Sequence, residues 1–83
     1  NALSFACSAF PNPCTAYLTL QMDDSGNEVK NITVTDTQGR MIYKSKSEST
    51  RLNLDVRGWA NGTYVFRIQN AKGQERTILI NKL

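Results

Sequence analysis

The chain has 83 residues, of which 40% are hydrophobic and 20% charged, and its formal net charge is +3. We expect a single domain, residues 1–83, with a core of modest size. The absence of histidine removes the commonest general base and the commonest metal ligand. The ten Lys and Arg residues are dispersed between Lys30 and Lys82, so we expect no enzyme, no cofactor or metal, and no nucleic-acid partner.

Membrane insertion is also not expected. No apolar run approaches the roughly 18 residues that a membrane span needs. The sequence starts at Asn1, and no charged leader precedes an apolar segment. We therefore expect a soluble piece, mature or excised, of a longer protein.

Seven short strands are predicted from the period-two alternation of apolar and polar residues. In chain order they span residues 2–9, 17–22, 29–36, 41–46, 51–56, 63–69 and 75–81. Turn signals lie at Asp23–Asn27, Thr37–Arg40 and Asn70–Gly73. Strands spaced about 8–12 residues apart, without a helical period anywhere, are typical of an antiparallel β-sandwich.

The expected core consists of the apolar positions that face inward on these strands. They are Leu20, Ile32, Val34, Ile42, Leu54, Tyr64, Phe66 and Ile78. In the fourth strand the alternation puts Ile42 inside, with Met41 and Tyr43 outside. Trp59, on the loop before the sixth strand, is either a core plug or an exposed contact; the first is favoured because Trp is highly buried on average.

The two cysteines, Cys7 and Cys14, are too far apart in sequence for a Cys-x-x-Cys redox or zinc motif. A bend at Pro11 and Pro13 could bring the sulfurs together in a disulfide, which would add roughly 2–3 kcal/mol of stability in the chain-entropy model. The alternative is two small buried thiols. The residues leave both interpretations open.

Three segments carry a more specific pattern. The first is Ala9-Phe10-Pro11-Asn12-Pro13, which leads into the second strand. The second, Ile32 to Arg40, is a strand followed by Asp-x-x-Gly-Arg, and the third, Leu54 to Ile68, contains Ala-x-Gly-x-Tyr. At these spacings, and before an apolar strand that ends at Lys82, they resemble the type A C-terminal sorting domain of the type IX (Por) secretion system of Bacteroidetes.

The resemblance implies a function that is not catalytic. Domains of this family fold as seven-stranded, immunoglobulin-like β-sandwiches in the periplasm, at the C-terminus of a cargo protein. They dock with the outer-membrane translocon, and a sortase commonly removes them while the cargo is joined to surface lipopolysaccharide. The cargo ends at the cell surface or is secreted. Some members are retained in components of the secretion machinery, and the cargo and any dimerisation stay open here.

The candidate recognition residues are those that carry the resemblance. They are Pro11, Asn12, Pro13, Gly39, Arg40, Gly62, Tyr64 and Lys82. We expect Gly39 and Gly62 to take turn conformations closed to other residues. Tyr64 should bury its ring and donate its hydroxyl to the backbone, and Arg40 should bridge to Asp36. The docking signal is expected in the C-terminal half, where the last strand would present a free edge.

An adhesion or carbohydrate-binding sandwich is the alternative function. Such a site needs exposed, coplanar aromatic rings with polar neighbours. The only candidates are Tyr17, Tyr43 and Trp59, and nothing in the sequence aligns them on one face.

Overall fold

The structure is a computed structural model that describes residues 6–23, 29–71 and 73–83. Within these ranges the chain forms seven strands: β1 (Ala6–Phe10), β2 (Tyr17–Asp23), β3 (Lys30–Asp36), β4 (Met41–Ser47), β5 (Arg51–Asp55), β6 (Gly62–Gln69) and β7 (Glu75–Lys82). No helix in the described part is long and apolar enough to cross a membrane. The start of the first predicted strand, most of the turn at 23–27 and residue 72 lie outside the described residues.

The strands form two antiparallel sheets, which confirms the predicted sandwich. One sheet has the order β1-β2-β5 and the other the order β4-β3-β6-β7. The chain crosses between the sheets after β2, after β4 and after β5. β7 and β4 are therefore the edge strands of the larger sheet, and β1 and β5 those of the smaller one.

The core lies between the two inner faces. Its buried apolar residues are Cys14, Leu18, Leu20, Met22, Ile32, Val34, Leu54, Val56, Tyr64, Phe66, Ile68 and Ile80. Six of the eight predicted core residues are among them, and Ile78 is half-buried against the cluster. The prediction holds because these strands keep strict alternation, so that every second side chain points between the sheets.

The prediction for β4 is wrong at Ile42 and Tyr43. Val34 pairs with Tyr43, but the next residue, Thr35, pairs with Met41, so a β-bulge leaves Ile42 as the extra residue. Ile42 is exposed, whereas Tyr43 packs against the core. A bulge places two residues of one strand opposite one residue of its partner, so every later side chain in the bulged strand points to the opposite face from the one expected. Period-two alternation in the sequence does not reveal a bulge. Met41 faces outward, as predicted.

Both cysteines carry thiols in the structure. Cys14 is buried, with its Sγ 3.6 Å from the carbonyl oxygen of Asn81. Cys7 lies on β1 opposite Met22 and packs against the core. The disulfide stays a prediction, which counting maleimide-reactive thiols in unfolded, non-reduced protein tests.

Candidate recognition site

The three motif segments meet at one end of the sandwich. A cavity of about 360 Å³ lies between the β3–β4 turn and the β5–β6 loop, with Arg40 and Trp59 in its lining. A second cavity, of about 330 Å³, is lined by Pro13, Lys82 and neighbouring residues. Both cavities are also lined by the same three residues, Asn61, Gly62 and Thr63. Segments far apart in the sequence therefore form one continuous surface, which we call the motif end.

The β3–β4 turn is organised by the carboxylate of Asp36. Its Oδ1 accepts hydrogen bonds from the backbone N–H groups of Gln38 and Arg40, both at 2.9 Å. Its Oδ2 lies 2.9 Å from Nε of Arg40, which is the predicted bridge. Gly39 has a φ of +84°, a conformation that favours glycine. The turn thus fixes the direction of the Arg40 side chain, which is 74% exposed.

The β5–β6 loop is held down by aromatic packing. The Trp59 ring lies 5.0 Å from that of Tyr64 and 6.0 Å from that of Phe66, centroid to centroid. The Tyr64 hydroxyl donates to the carbonyl oxygen of Ala60 at 2.5 Å, and the Tyr64 ring is buried. Trp59 is half-buried, so it is both a core contact and a wall of the larger cavity.

Replacing Gly62 with Val is expected to lower the free energy of unfolding by about 1–3 kcal/mol. Gly62 has a φ of +147°, and no atom lies within 4 Å of a Cβ built there, so the cost is backbone strain rather than a clash. Gly58→Val is the matched control, because Gly58 lies in the same loop, is equally open and has no positive φ. Urea unfolding of both variants checks this, and equal losses would contradict it.

The Pro-Asn-Pro segment is joined to the end of β7. Asn12 donates from Nδ2 to the carbonyl oxygen of Leu79 at 3.2 Å and accepts at Oδ1 from the backbone N–H of Asn81 at 3.0 Å. The Cys14 N–H donates to the carbonyl oxygen of Asn81 at 2.9 Å, and the Leu83 N–H donates to the carbonyl oxygen of Cys14 at 2.8 Å. This segment therefore covers the outer edge of β7 at its C-terminal end.

The rest of the β7 edge has no strand hydrogen-bonded to it within the described residues. Residues opposite each other in an antiparallel pair alternate between hydrogen-bonded and non-bonded positions. The backbone N–H and C=O of Asn81 point away from β6, toward residues 12–14. Because the direction alternates along the strand, the backbone groups of Thr77, four residues earlier, also point away from β6. No other described strand is hydrogen-bonded to β7 on that side, although β1 of the other sheet lies close to β7. The predicted free edge is thus present around Thr77 and closed near Asn81.

Lys82 does not present its side chain to the solvent. It is 6% exposed, and its Nζ donates to the carbonyl oxygen of Leu83 at 2.9 Å. Lys82 pairs with Gly62 on one side and bridges to Cys14 on the other. The expectation of a free edge on the last strand is therefore wrong at this residue, because residues 12–14 pack against it.

The aromatic candidates for a carbohydrate site do not form a platform. The rings of Tyr43 and Trp59 are 6.4 Å apart and tilted by 45°. Tyr17 lies on the other sheet, where the guanidinium carbon of Arg57 sits 5.3 Å from its ring centroid. Arg57 also makes an ion pair with Asp55 at 2.7 Å. The coplanar arrangement that stacking on sugar rings needs is therefore not built from these three residues.

Acidification is expected to weaken the fold through two carboxylates. Hydrogen bonds from Arg40 lower the pKa of Asp36 below its usual value of 3.8, and those from the Arg57 side chain lower the pKa of Asp55 to about 2. A carboxylate whose pKa is lower in the folded state stabilises that state above its unfolded pKa. This contribution is lost as the pH falls from about 4 to about 2.

The melting temperature, followed over this pH range, checks that expectation. The double variant Asp36→Asn, Asp55→Asn should lose less of its stability on acidification than the parent does. The Asp55 side chain is exposed and that of Asp36 is partly buried, but both pair with exposed arginines, so the effect is small. Identical pH profiles for parent and variant would contradict the expectation.

Asn81 is the site residue that the sequence does not reveal. It links the Pro-Asn-Pro segment to β7 and also accepts at Oδ1 from the Thr63 hydroxyl at 2.9 Å. The only feature of the sequence that points to Asn81 is its polar side chain within an otherwise apolar strand. Polar side chains at such positions are common on exposed faces, so this feature does not single out a site residue. Within the described residues no group of three or more His, Cys, Asp or Glu is placed to hold a metal.

Comparison with known proteins adds a family and a fold. The pattern that defines the family described as the secretion system C-terminal sorting domain matches residues 8–82. No curated protein matches the chain.

Two solved structures share the fold. One of them is PorZ of Porphyromonas gingivalis, which is described as an essential bacterial surface component of the type IX secretion system. Its structure matches this chain with a TM-score of 0.77 and 22% sequence identity. That match covers 93% of this chain but only 11% of PorZ. The other is a protein of the DUF3244 family from Bacteroides vulgatus, which is described as having an immunoglobulin-like β-sandwich fold. It matches with a TM-score of 0.76 and 15% sequence identity, and the match covers 98% of this chain and 96% of that one. The predicted immunoglobulin-like fold is thereby confirmed.

Proposed function

Because the chain belongs to the family of secretion system C-terminal sorting domains, we propose that it is a non-catalytic module that docks a cargo protein onto the type IX translocon. Membership of the family assigns a targeting role in type IX secretion, and hence export to the cell surface or beyond. We further propose that the module passes through the periplasm, and that a sortase then removes it and joins the cargo to lipopolysaccharide. The whole of residues 1–83 acts as one sorting domain in this proposal.

The convergence of the three motif segments at the motif end supports this proposal most directly. Tyr64, Gly39 and Gly62 act there through the fold, because they set the loop and turn conformations. Arg40 differs, since Asp36 holds its Nε while the side chain projects into the solvent. A guanidinium fixed by a carboxylate loses less freedom when it binds. We therefore propose that the translocon contacts Arg40 and the adjoining cavity.

A second candidate is a domain retained in a component of the secretion machinery. It is favoured by the similarity to part of PorZ, a surface component of the same kind of system. In that case the domain would stay on the mature protein rather than be cut off. Mass spectrometry of the exported protein separates the candidates, because only the sorted cargo lacks residues 1–83.

Arg40→Ala in a reporter that carries residues 1–83 is expected to reduce delivery to the cell surface several-fold. The variant should melt near the parental temperature, because an exposed ion pair contributes about 0–1 kcal/mol. Arg57→Ala is the matched control, since Arg57 is also exposed and paired with a carboxylate but does not line the larger cavity. Surface labelling of intact cells measures the outcome, and equal delivery of both variants would exclude Arg40 as a docking residue.

A further inference from the structure

The outer face of the larger sheet carries an exposed apolar row. Thr35 pairs with Met41 on β4 and with Val65 on β6, and Val65 pairs with Leu79 on β7. Cross-strand partners share a face, so these four side chains lie side by side over roughly 14 Å, three inter-strand spacings. Met41 is 58% and Leu79 61% exposed. Two large apolar side chains thus meet the solvent at the two edges of one row.

Three cations lie beside this row on the same face. Thr33 pairs with Lys44 and with Arg67, which forms the neighbouring row, and Asn31 pairs with Lys46 in the row beyond. All three basic side chains are exposed. None of the three joins an ion pair within the described residues.

The positive charge on this face is only partly balanced by the sheet itself. At the paired positions of these rows the structure places one carboxylate, Glu75, which lies at a corner opposite Gln69. Lys44 and Lys46 lie two residues apart on β4, and Arg67 lies two strands from Lys44, so these like charges repel one another. A partner with negative charge would relieve this repulsion and at the same time cover Met41 and Leu79.

We propose that this face binds an acidic protein segment. Its apolar side chains cover Met41, Val65 and Leu79, and its carboxylates lie over Lys44, Lys46 and Arg67. Segments that bind anionic lipids typically carry about 4–8 basic residues, and this face has three. A protein partner therefore fits better than a membrane surface. The surface is separate from the motif end, and the proposal stands whether or not the sorting function holds.

Fluorescence anisotropy with a labelled peptide of alternating Leu and Glu tests the proposal on the purified chain. Arg67→Glu should weaken binding about tenfold, because it replaces an attraction by a repulsion. Arg51→Glu is the matched control, since Arg51 is an exposed arginine on β5 of the other sheet. Leu79→Ala should also weaken binding, and added salt should weaken it further.

Three outcomes would overturn the proposal: no binding of the peptide, equal weakening by Arg67→Glu and Arg51→Glu, or binding to phosphatidylglycerol vesicles but not to the peptide. The last outcome would assign the face to a membrane. Melting temperatures of all variants show that each is folded, so that a loss of binding is not a loss of structure. No secretion assay enters this test, so its failure is distinct from a failure of the sorting proposal.

Discussion

Phe66→Ala is expected to lower the free energy of unfolding by about 3–5 kcal/mol. Phe66 is fully buried at the centre of the larger sheet, where it pairs with Val34 on one side and Ile78 on the other. Its ring also contacts that of Trp59. Removing it therefore leaves a cavity bounded by three strands and the loop of the motif end. Urea unfolding, followed by the fluorescence of Trp59, the single tryptophan of the chain, measures the loss.

Leu79→Ala is the control for this change. Leu79 is a large apolar residue on the neighbouring strand, but its side chain faces the solvent, so its removal should change stability by about 0.5 kcal/mol or less. A loss below about 1 kcal/mol for Phe66→Ala would mean that β6 turns its other face to the core.

Deleting residues 75–83 is expected to abolish delivery of a fused reporter to the cell surface. The deletion removes all of β7, so β6 loses one of its two neighbouring strands and the core loses Ile80. It also removes Asn81, to which the Pro-Asn-Pro segment is bound. Surface labelling of intact cells measures delivery. Parental delivery by the shortened chain would contradict a role of this end in sorting.

This deletion combines a folding defect with any loss of docking. Lys82→Ala does not separate the two effects, because Lys82 is buried against the segment that bears Cys14 and its replacement also disturbs packing. Arg40→Ala separates the two effects better, because the Arg40 side chain is exposed.

Local patterns predicted most of the fold. Strict alternation identified the buried residues of β6, such as Tyr64 and Phe66, since each strand needs one apolar face. It failed on β4, where the bulge at Ile42 exposes that residue and turns Tyr43 inward. A bulge depends on how β3 and β4 pair, and the sequence around Ile42 does not indicate that pairing.

The candidate site could be predicted only in part. The roles of Asp36, Arg40 and Tyr64 follow from contacts within a few residues, and the structure has them as expected. The closure of the β7 edge depends on Asn12 and Asn81, which are remote in sequence. No local pattern indicates that these residues meet, and so the sequence alone predicted a free edge along the whole of the last strand.

Surface delivery of a reporter fused to residues 1–83 tests the central claim most directly. The reporter is expressed in a type IX-competent bacterium and in the same strain without the translocon, and its accessible fraction is measured on intact cells by labelling. The claim predicts a reporter at the surface or in the medium of the competent strain and retained in the strain without the translocon. Retention in both strains, with the fused domain folded, would contradict it.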